Sequence, residues 1–122
     1  MTDGALGFWV HEDGPGLGTP MHSHPPHEAF YILDGSFEFF VGGSWLDAPA
    51  GSFVFVPGGV PHGFRAGPSG GRKIGLFVPG GNEGLFTEWR ELHDAGGDSP
   101  EAVGALAERY RVTRLGALPD RT

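Results

Sequence analysis

Residues 16–35 read GLGTPMHSHPPHEAFYILDG. Histidine occurs here at positions 22, 24 and 27, and Glu28 follows directly. In an extended chain successive side chains point to opposite faces, so His22 and His24 share one face, roughly 6.6–7 Å apart along the strand. Two imidazoles at this spacing can bind one metal ion. The segment therefore predicts a metal-binding strand.

A second stretch, residues 51–66, reads GSFVFVPGGVPHGFRA. Its histidine, His62, could supply a third nitrogen from a neighbouring strand, and Glu28 could add a carboxylate oxygen. Neutral imidazole suits Zn, Cu, Fe or Ni, and a carboxylate with water also admits Mn, so the donor set does not select one metal. We interpret His11 and His93 as ordinary hydrogen-bonded histidines.

The chain up to residue 84 consists of aromatic and β-branched runs separated by glycine- and proline-rich turns, which is typical of short strands. The predicted strands are 6–11, 28–33, 36–41, 44–48, 53–57, 62–66 and 73–78. Asp34-Gly35 and Gly42-Gly43 each link two runs in the form of a type I′ hairpin. Turns without intervening helices favour an antiparallel sandwich or barrel.

A helical period replaces the strand pattern after residue 82. The first predicted helix has its apolar residues at helical spacing: Leu85, Phe86, Trp89 and Leu92. Asn82 is its expected N-cap and Gly96-Gly97 its end. Ser99 and Pro100 predict the start of a second helix. We expect an all-β barrel over residues 1–81, with residues 82–122 forming two helices packed on it within the same domain.

Composition excludes several classes of function. The formal charge of −7 disfavours nucleic acid and anionic membrane surfaces as partners. The absence of cysteine excludes disulfides and thiolate metal sites. No apolar run is long enough to span a membrane, and the first residues lack the pattern of a secretory leader, so a cytoplasmic location is expected.

Glycines and a proline stand at fixed distances from the candidate ligands. The first group fits G-x5-H-x-H-x3-E-x6-G: Gly16, His22, His24, Glu28 and Gly35. The second fits G-x5-P-x-G-x2-H: Gly51, Pro57, Gly59 and His62. These patterns resemble the two motifs of the cupin superfamily, although Ala66 stands where that family often has an Asn that is not a ligand.

This resemblance implies a double-stranded β-helix, or jelly-roll, barrel. It also implies one divalent transition metal inside the barrel, of the group Fe, Ni, Mn, Zn, Co or Cu. The implied ligands are His22, His24, Glu28 and His62. Glu28 is further expected to act as a base or hydrogen-bond acceptor. His27 is expected to assist as an acid/base or supporting group if Pro25-Pro26 bends the chain toward the metal.

Strand alternation predicts an apolar substrate pocket beside the metal. Six aromatic side chains and one aliphatic side chain are expected to line it: Phe30, Ile32, Phe37, Phe39, Phe53, Phe55 and Phe64. Aromatic walls favour a small flat or apolar organic substrate. The barrel has few basic residues, namely Arg65, Arg72 and Lys73. That scarcity disfavours phosphosugars, whose binding needs a cationic clamp.

Within the superfamily, the chain resembles small single-domain bacterial cupins of quercetin dioxygenase-like or polyketide cyclase-like type. This implies a metal-dependent enzyme, with a dioxygenase-like oxidoreductase favoured because four ligands leave two octahedral positions for substrate and O₂. Two alternatives stay open. One is a non-redox cyclase or isomerase, and the other is a non-catalytic cupin that binds a small molecule.

Few residues precede Gly16, so the barrel is expected to leave a sheet edge unpaired. Unpaired edges pair readily with another chain. We therefore predict a homodimer, with exchange of residues 5–12 as one possible arrangement.

Overall fold

The computed structural model describes residues 7–81, 84–97 and 99–121. It confirms the predicted fold class, a mainly antiparallel β-fold followed by two helices. Asn82, the predicted N-cap of the first helix, lies outside the described residues. In chain order the elements are β1 (Gly7–Asp13), β2 (Met21–Ser23), β3 (His27–Val41), β4 (Ser44–Pro49), β5 (Phe53–Val56), β6 (His62–Val78), α1 (Gly84–Asp94), α2 (Pro100–Arg109) and β7 (Thr113–Gly116).

The two longest strands, β3 and β6, form the backbone of the fold. They pair antiparallel from His27 opposite Val78 to Val41 opposite His62. On the outer edge of β3, β5 pairs with its first half and β4 with its second half. On the outer edge of β6, β1 pairs with its second half and β2 with its start, and β7 extends the sheet beyond β2. This pairing sets His22 of β2 directly opposite His62 at the start of β6.

The structure corrects one predicted turn. Asp34-Gly35 is not a hairpin: it lies inside β3, between two shifts in the pairing register with β6. Gly35 has a φ of +68°, and a Cβ there would lie 2.2 Å from the Gly70 carbonyl oxygen. The missing side chain lets β3 and β6 approach closely while they bend, so the predicted strands 28–33 and 36–41 are one strand.

The second glycine turn is as predicted. Gly42 and Gly43 have φ angles of +55° and +96° and join Val41 to Ser44, which pair across the hairpin. A type I′ turn requires positive φ at both central residues, and glycine adopts it without steric strain. The local signal was therefore sufficient here.

The core lies between the inner faces of the bent strands. Its buried side chains are Phe30, Ile32, Phe37, Phe39, Ala48, Val54, Val56, Phe64 and Ala66. The predicted inward orientation of Phe30, Ile32 and Phe64 is confirmed.

The predicted inward orientation of Phe53 and Phe55 is wrong. These rings are 63% and 52% exposed on the outer surface. The reason is the pairing register, which sets Val56 opposite Glu28 and Val54 opposite Phe30. Directly paired residues point to the same face of a sheet, so the two valines face inward and the two phenylalanines outward.

The helices follow the predicted signals. The Ser99 hydroxyl accepts a hydrogen bond from the Ala102 N–H at 3.2 Å, which caps α2, and Pro100 occupies its first turn. Gly96, with a φ of +74°, follows the end of α1. Arg109 of α2 donates a hydrogen bond to Glu88 of α1 at 2.8 Å. Neither described helix is long and apolar enough to cross a membrane.

The bend at Gly35 yields a stability prediction. Gly43→Ala introduces a side chain at positive φ with no atom within 4 Å of the new Cβ, so we expect a loss of ~1–2 kcal/mol. Gly35→Ala adds a clash with the Gly70 carbonyl, so its loss is expected to be a further ~1–3 kcal/mol. Urea unfolding of the wild type and both variants measures the difference. Equal losses would show that β3 and β6 do not approach closely at this bend.

Candidate metal centre

The four predicted ligands converge although they come from three different parts of the fold. His22 lies in β2, His24 follows it, Glu28 lies in β3 and His62 begins β6. Their ligand atoms all lie within 4.8 Å of one another. His22 pairs directly with His62 across the β2–β6 ladder, which explains how one sequence motif meets the other. His24, Glu28 and His62 are buried, and His22 is partly buried.

The backbone fixes the orientation of each imidazole ring. In all three histidines Nδ1 lies within hydrogen-bonding distance of a carbonyl oxygen two residues away: Pro20 for His22 (3.0 Å), Pro26 for His24 (3.1 Å) and Val60 for His62 (2.8 Å). A carbonyl oxygen only accepts, so each Nδ1 holds the hydrogen and donates it. Each neutral ring therefore directs the lone pair of Nε2 toward the centre of the cluster.

This arrangement places electron-rich atoms against one another. Nε2 of His24 and Nε2 of His62 lie 2.9 and 3.0 Å from the same atom, Oε1 of Glu28. Two nitrogen lone pairs and a carboxylate oxygen repel one another unless a positive centre lies among them. Three imidazole nitrogens and one carboxylate form a donor set suited to a divalent transition metal. The residues present therefore fit the metal that the sequence motifs imply.

Burial and charge keep the ligands in their binding forms. Burial lowers the pKa of His22 to about 4, and the nearby His62 acts in the same direction. Burial alone would raise the pKa of Glu28, but hydrogen bonds from His24 and His62, donated when their Nε2 atoms carry a proton, hold that pKa below the ordinary value. At neutral pH His22 is thus uncharged and Glu28 is a carboxylate, as metal binding requires.

The structure places His27 outside this cluster, contrary to the role expected for it. Its exposed ring accepts a hydrogen bond from the Gly58 N–H at Nδ1 (2.8 Å) and lies beside Phe55 on the outer surface. Neighbouring residues of a strand point to opposite faces, and Glu28 points inward. The Pro25-Pro26 turn does not change that direction.

A cavity of about 420 Å³ opens from the four ligands. Of the seven predicted pocket residues, Phe30 and Phe64 line it, whereas Ile32, Phe37 and Phe39 are buried in the core behind it. Phe53 and Phe55 lie on the outer surface. Further aromatic walls come from β1, β6 and α1: Trp9, Phe77, Phe86 and Trp89. Leu106 and Ala107 of α2 add to the lining, so both helices border the cavity.

Five polar residues of the cavity wall were not anticipated as site residues: His11, Asp13, Thr19, Lys73 and Arg114. Lys73 is fully buried, and its Nζ lies 2.5 Å from Oδ2 of Asp13 and 3.9 Å from the centre of the Phe64 ring. Burial lowers the pKa of Lys73, and Asp13 opposes that shift.

The alternation of hydrophobic residues does not predict that Lys73 faces inward. Ile74, Leu76 and Val78 are the apolar residues that this pattern would direct inward. The inward orientation of Lys73 follows instead from strand pairing. Phe77 pairs with the inward-facing Glu28, so Phe77, Gly75 and Lys73 lie on the inner face.

Fold and site together define a jelly-roll β-barrel protein with a candidate metal centre of three histidines and one glutamate. The sequence profile of the cupin domain matches residues 9–70, about half of the chain. The chain therefore belongs to the cupin family. None of the curated proteins compared with it matches significantly.

Solved structures with the same fold include proteins named for different reactions. An RmlC-like cupin from Shewanella frigidimarina is 29% identical with a TM-score of 0.61, over 66% of this chain and 71% of that one. The DMSP lyase DddQ from Ruegeria pomeroyi is 32% identical with a TM-score of 0.57, over 62% of this chain and 39% of that one. The polyketide cyclase RemF from Streptomyces resistomycificus is 29% identical with a TM-score of 0.55, over 60% and 54%. This chain thus corresponds to only part of the last two proteins.

The cluster predicts metal binding that depends on His62. We expect the wild type, loaded and desalted, to retain about one divalent transition metal per chain. His62→Ala removes one of the converging nitrogens, so we expect the affinity for the metal to fall at least ~10-fold. Loss of a residue that only supports a ligand already costs about that much. Elemental analysis and calorimetric titration measure both quantities.

His27→Ala is the matched control, because His27 lies three residues after His24 and directly before Glu28 but faces outward. It should bind metal like the wild type. Equal metal content in the wild type and His62→Ala would show that the cluster is not the binding site.

Proposed function

We propose that the protein is a metal-dependent enzyme that acts on a small apolar or aromatic organic molecule. The observation that supports this most directly is the opening of the four-ligand cluster into a cavity with aromatic walls. Such a cavity can bind a flat molecule and leave one of its polar atoms beside the cluster.

The residues of the chain would divide the work as follows. When bound, a divalent metal supplies a Lewis acid that polarises a substrate oxygen. His22, His24 and His62 hold it through Nε2, and their backbone contacts at Nδ1 keep the rings from turning. Trp9, Phe30 and the apolar side chains of α1 and α2 bind the body of the substrate and exclude water.

Two reaction classes agree with this site. We place a non-redox lyase, cyclase or isomerase reaction first, because two relatives of 29% and 32% identity are named as a polyketide cyclase and a DMSP lyase. A dioxygenase-like oxidoreductase, which the sequence motifs favoured, is the second candidate. Its support is that four protein ligands leave two positions of an octahedral metal for substrate and O₂.

Oxygen dependence separates these candidates. We expect the metal-loaded protein to convert at least one member of a panel of flavonols, dihydroxyaromatics and polyketide-like phenols at the same rate with and without O₂. Product analysis under strict anaerobiosis, together with an oxygen electrode in air, measures this. His62→Ala provides the control for metal dependence, and its turnover should be lost.

Three results would contradict the non-redox assignment. Turnover that stops without O₂ and consumes O₂ in air would establish the dioxygenase-like alternative. Saturable binding without turnover would favour the non-catalytic alternative. Turnover that persists undiminished in metal-free protein would remove the metal from the proposal.

We also propose that the protein is a homodimer. Outward residues paired across β1, β6, β3 and β5 form an apolar surface with exposed rings: Val10, Ile74, Tyr31 and Phe53 in one row, and Phe8, Leu76, Ala29 and Phe55 in the next. A contiguous apolar surface of this kind is typical of protein–protein interfaces. Exchange of residues 5–12 stays a prediction, because residues 5 and 6 lie outside the described chain and residues 7–12 pair with β6 of the same chain.

Light scattering tests this assembly. The wild type should have twice the mass of one chain at micromolar concentration, and Phe53→Asp should shift it toward the monomer because a charge would be buried in the interface. Leu17→Asp is the control, since Leu17 is equally exposed but lies outside the two rows. A wild type that is monomeric at every concentration measured would refute the dimer.

A further inference from the structure

His11 is a titratable side chain of the cavity that the metal centre does not use. It lies on β1, and its ring contacts Trp9 (5.9 Å between centroids) and Phe86 of α1 (4.8 Å, edge-on). Across residues 7–81, 84–97 and 99–121, neither of its ring nitrogens has a hydrogen-bond partner. The His11 imidazole therefore lies against aromatic rings, and both of its nitrogens remain able to form hydrogen bonds.

The surrounding charges set the protonation state of His11. Burial is the main cause that lowers its pKa, and the neighbouring Lys73 ammonium acts in the same direction, as does Arg90 of α1 more weakly. Asp13 on its own strand and Glu28 of β3 oppose this without reversing it. The ring is therefore neutral at pH 7 and offers one N–H donor and one nitrogen acceptor.

His11 and the metal ligands lie at opposite ends of the cavity. The strand register aligns His11 with Lys73 and Ile32, whereas Glu28 is aligned with Phe77. Glu28 and Ile32 are four residues apart on β3, roughly 13 Å along an extended strand. Aromatic walls connect the two ends through Trp9 and Phe77, whose rings stack at 4.5 Å. The backbone positions of Glu28 and Ile32 are farther apart than a single aromatic ring is long.

We propose that His11 forms a second polar subsite that binds an oxygen function of the substrate. This rests on the proposed function and narrows its substrate class. The substrate is a flat molecule of two or more fused rings with one oxygen function at the metal ligands and another at the opposite end, where His11 donates to it or accepts from it.

The test compares two probes on metal-loaded protein: naphthalene with one hydroxyl group, and naphthalene with hydroxyl groups at its two opposite ends. Calorimetric titration, with quenching of tryptophan fluorescence as a second readout, measures both dissociation constants. The wild type should bind the diol about tenfold more tightly, the effect of one added hydrogen bond. About twofold of that preference is statistical and persists in every variant.

His11→Phe keeps an aromatic ring between Trp9 and Phe86 but removes both nitrogens. It should reduce the preference for the diol to the statistical factor without weakening the binding of the singly hydroxylated probe. His11→Gln, which again offers a donor and an acceptor, should restore part of the preference. His27→Phe makes the same change on the outer surface and should retain the wild-type preference.

An unchanged preference in His11→Phe, with both probes bound, would overturn the role of His11 and leave the proposed function in place. Failure of metal-loaded wild type to bind either probe would instead count against the proposed class of substrate, and with it against the second subsite. Circular dichroism of each variant confirms that a lost preference is not a loss of folding.

Discussion

The bend in the β3–β6 ladder is the constraint on which the site depends. In the pairing register, Glu28 stands opposite Phe77, and His62 stands opposite Val41, thirteen residues further along β3. A straight strand would separate these positions by roughly 43 Å. Yet Nε2 of His62 lies 3.0 Å from Oε1 of Glu28. The ladder must fold back on itself, and it does so where Gly35 meets Gly70 and Gly71 with no side chain between the strands.

Two glycine-containing dipeptides of this region show where a short sequence pattern predicts a turn correctly and where it does not. Asp34-Gly35 and Gly42-Gly43 have the same turn chemistry, but only the second is a hairpin. The difference comes from the residues that lie opposite each dipeptide. Gly35 faces Gly70 and Gly71, more than thirty residues away, and these permit the close approach that a bend within a strand requires. A short window of sequence cannot contain that information, whereas the ligand spacing and the Ser99 cap were readable because each is set within a few residues.

The same distinction explains the errors in the predicted pocket. The alternating pattern identified which residues of a strand share a face. Pairing with β3 determined whether that face points inward or outward. That pairing turned Phe53 and Phe55 outward and Val54 and Val56 inward. It also turned Lys73 inward against the hydrophobic pattern of its own strand. The orientation of the four ligands was predictable, because three histidines and a glutamate can bind one metal ion only if all four face inward.

The inward position of Lys73 changes the character of the barrel interior. Its ammonium group lies over the rings of Phe37 and Phe64 and pairs with Asp13, so the far end of the cavity is bounded by a charged pair instead of an apolar side chain. Replacing such a pair with apolar residues is often neutral for stability, so core stability alone does not account for it. Its visible effect is electrostatic: the ammonium beside His11 opposes a second positive charge there. One end of the cavity is thus bounded by the uncharged His11 and the Lys73–Asp13 pair, and the other by the four candidate metal ligands, with aromatic walls between them.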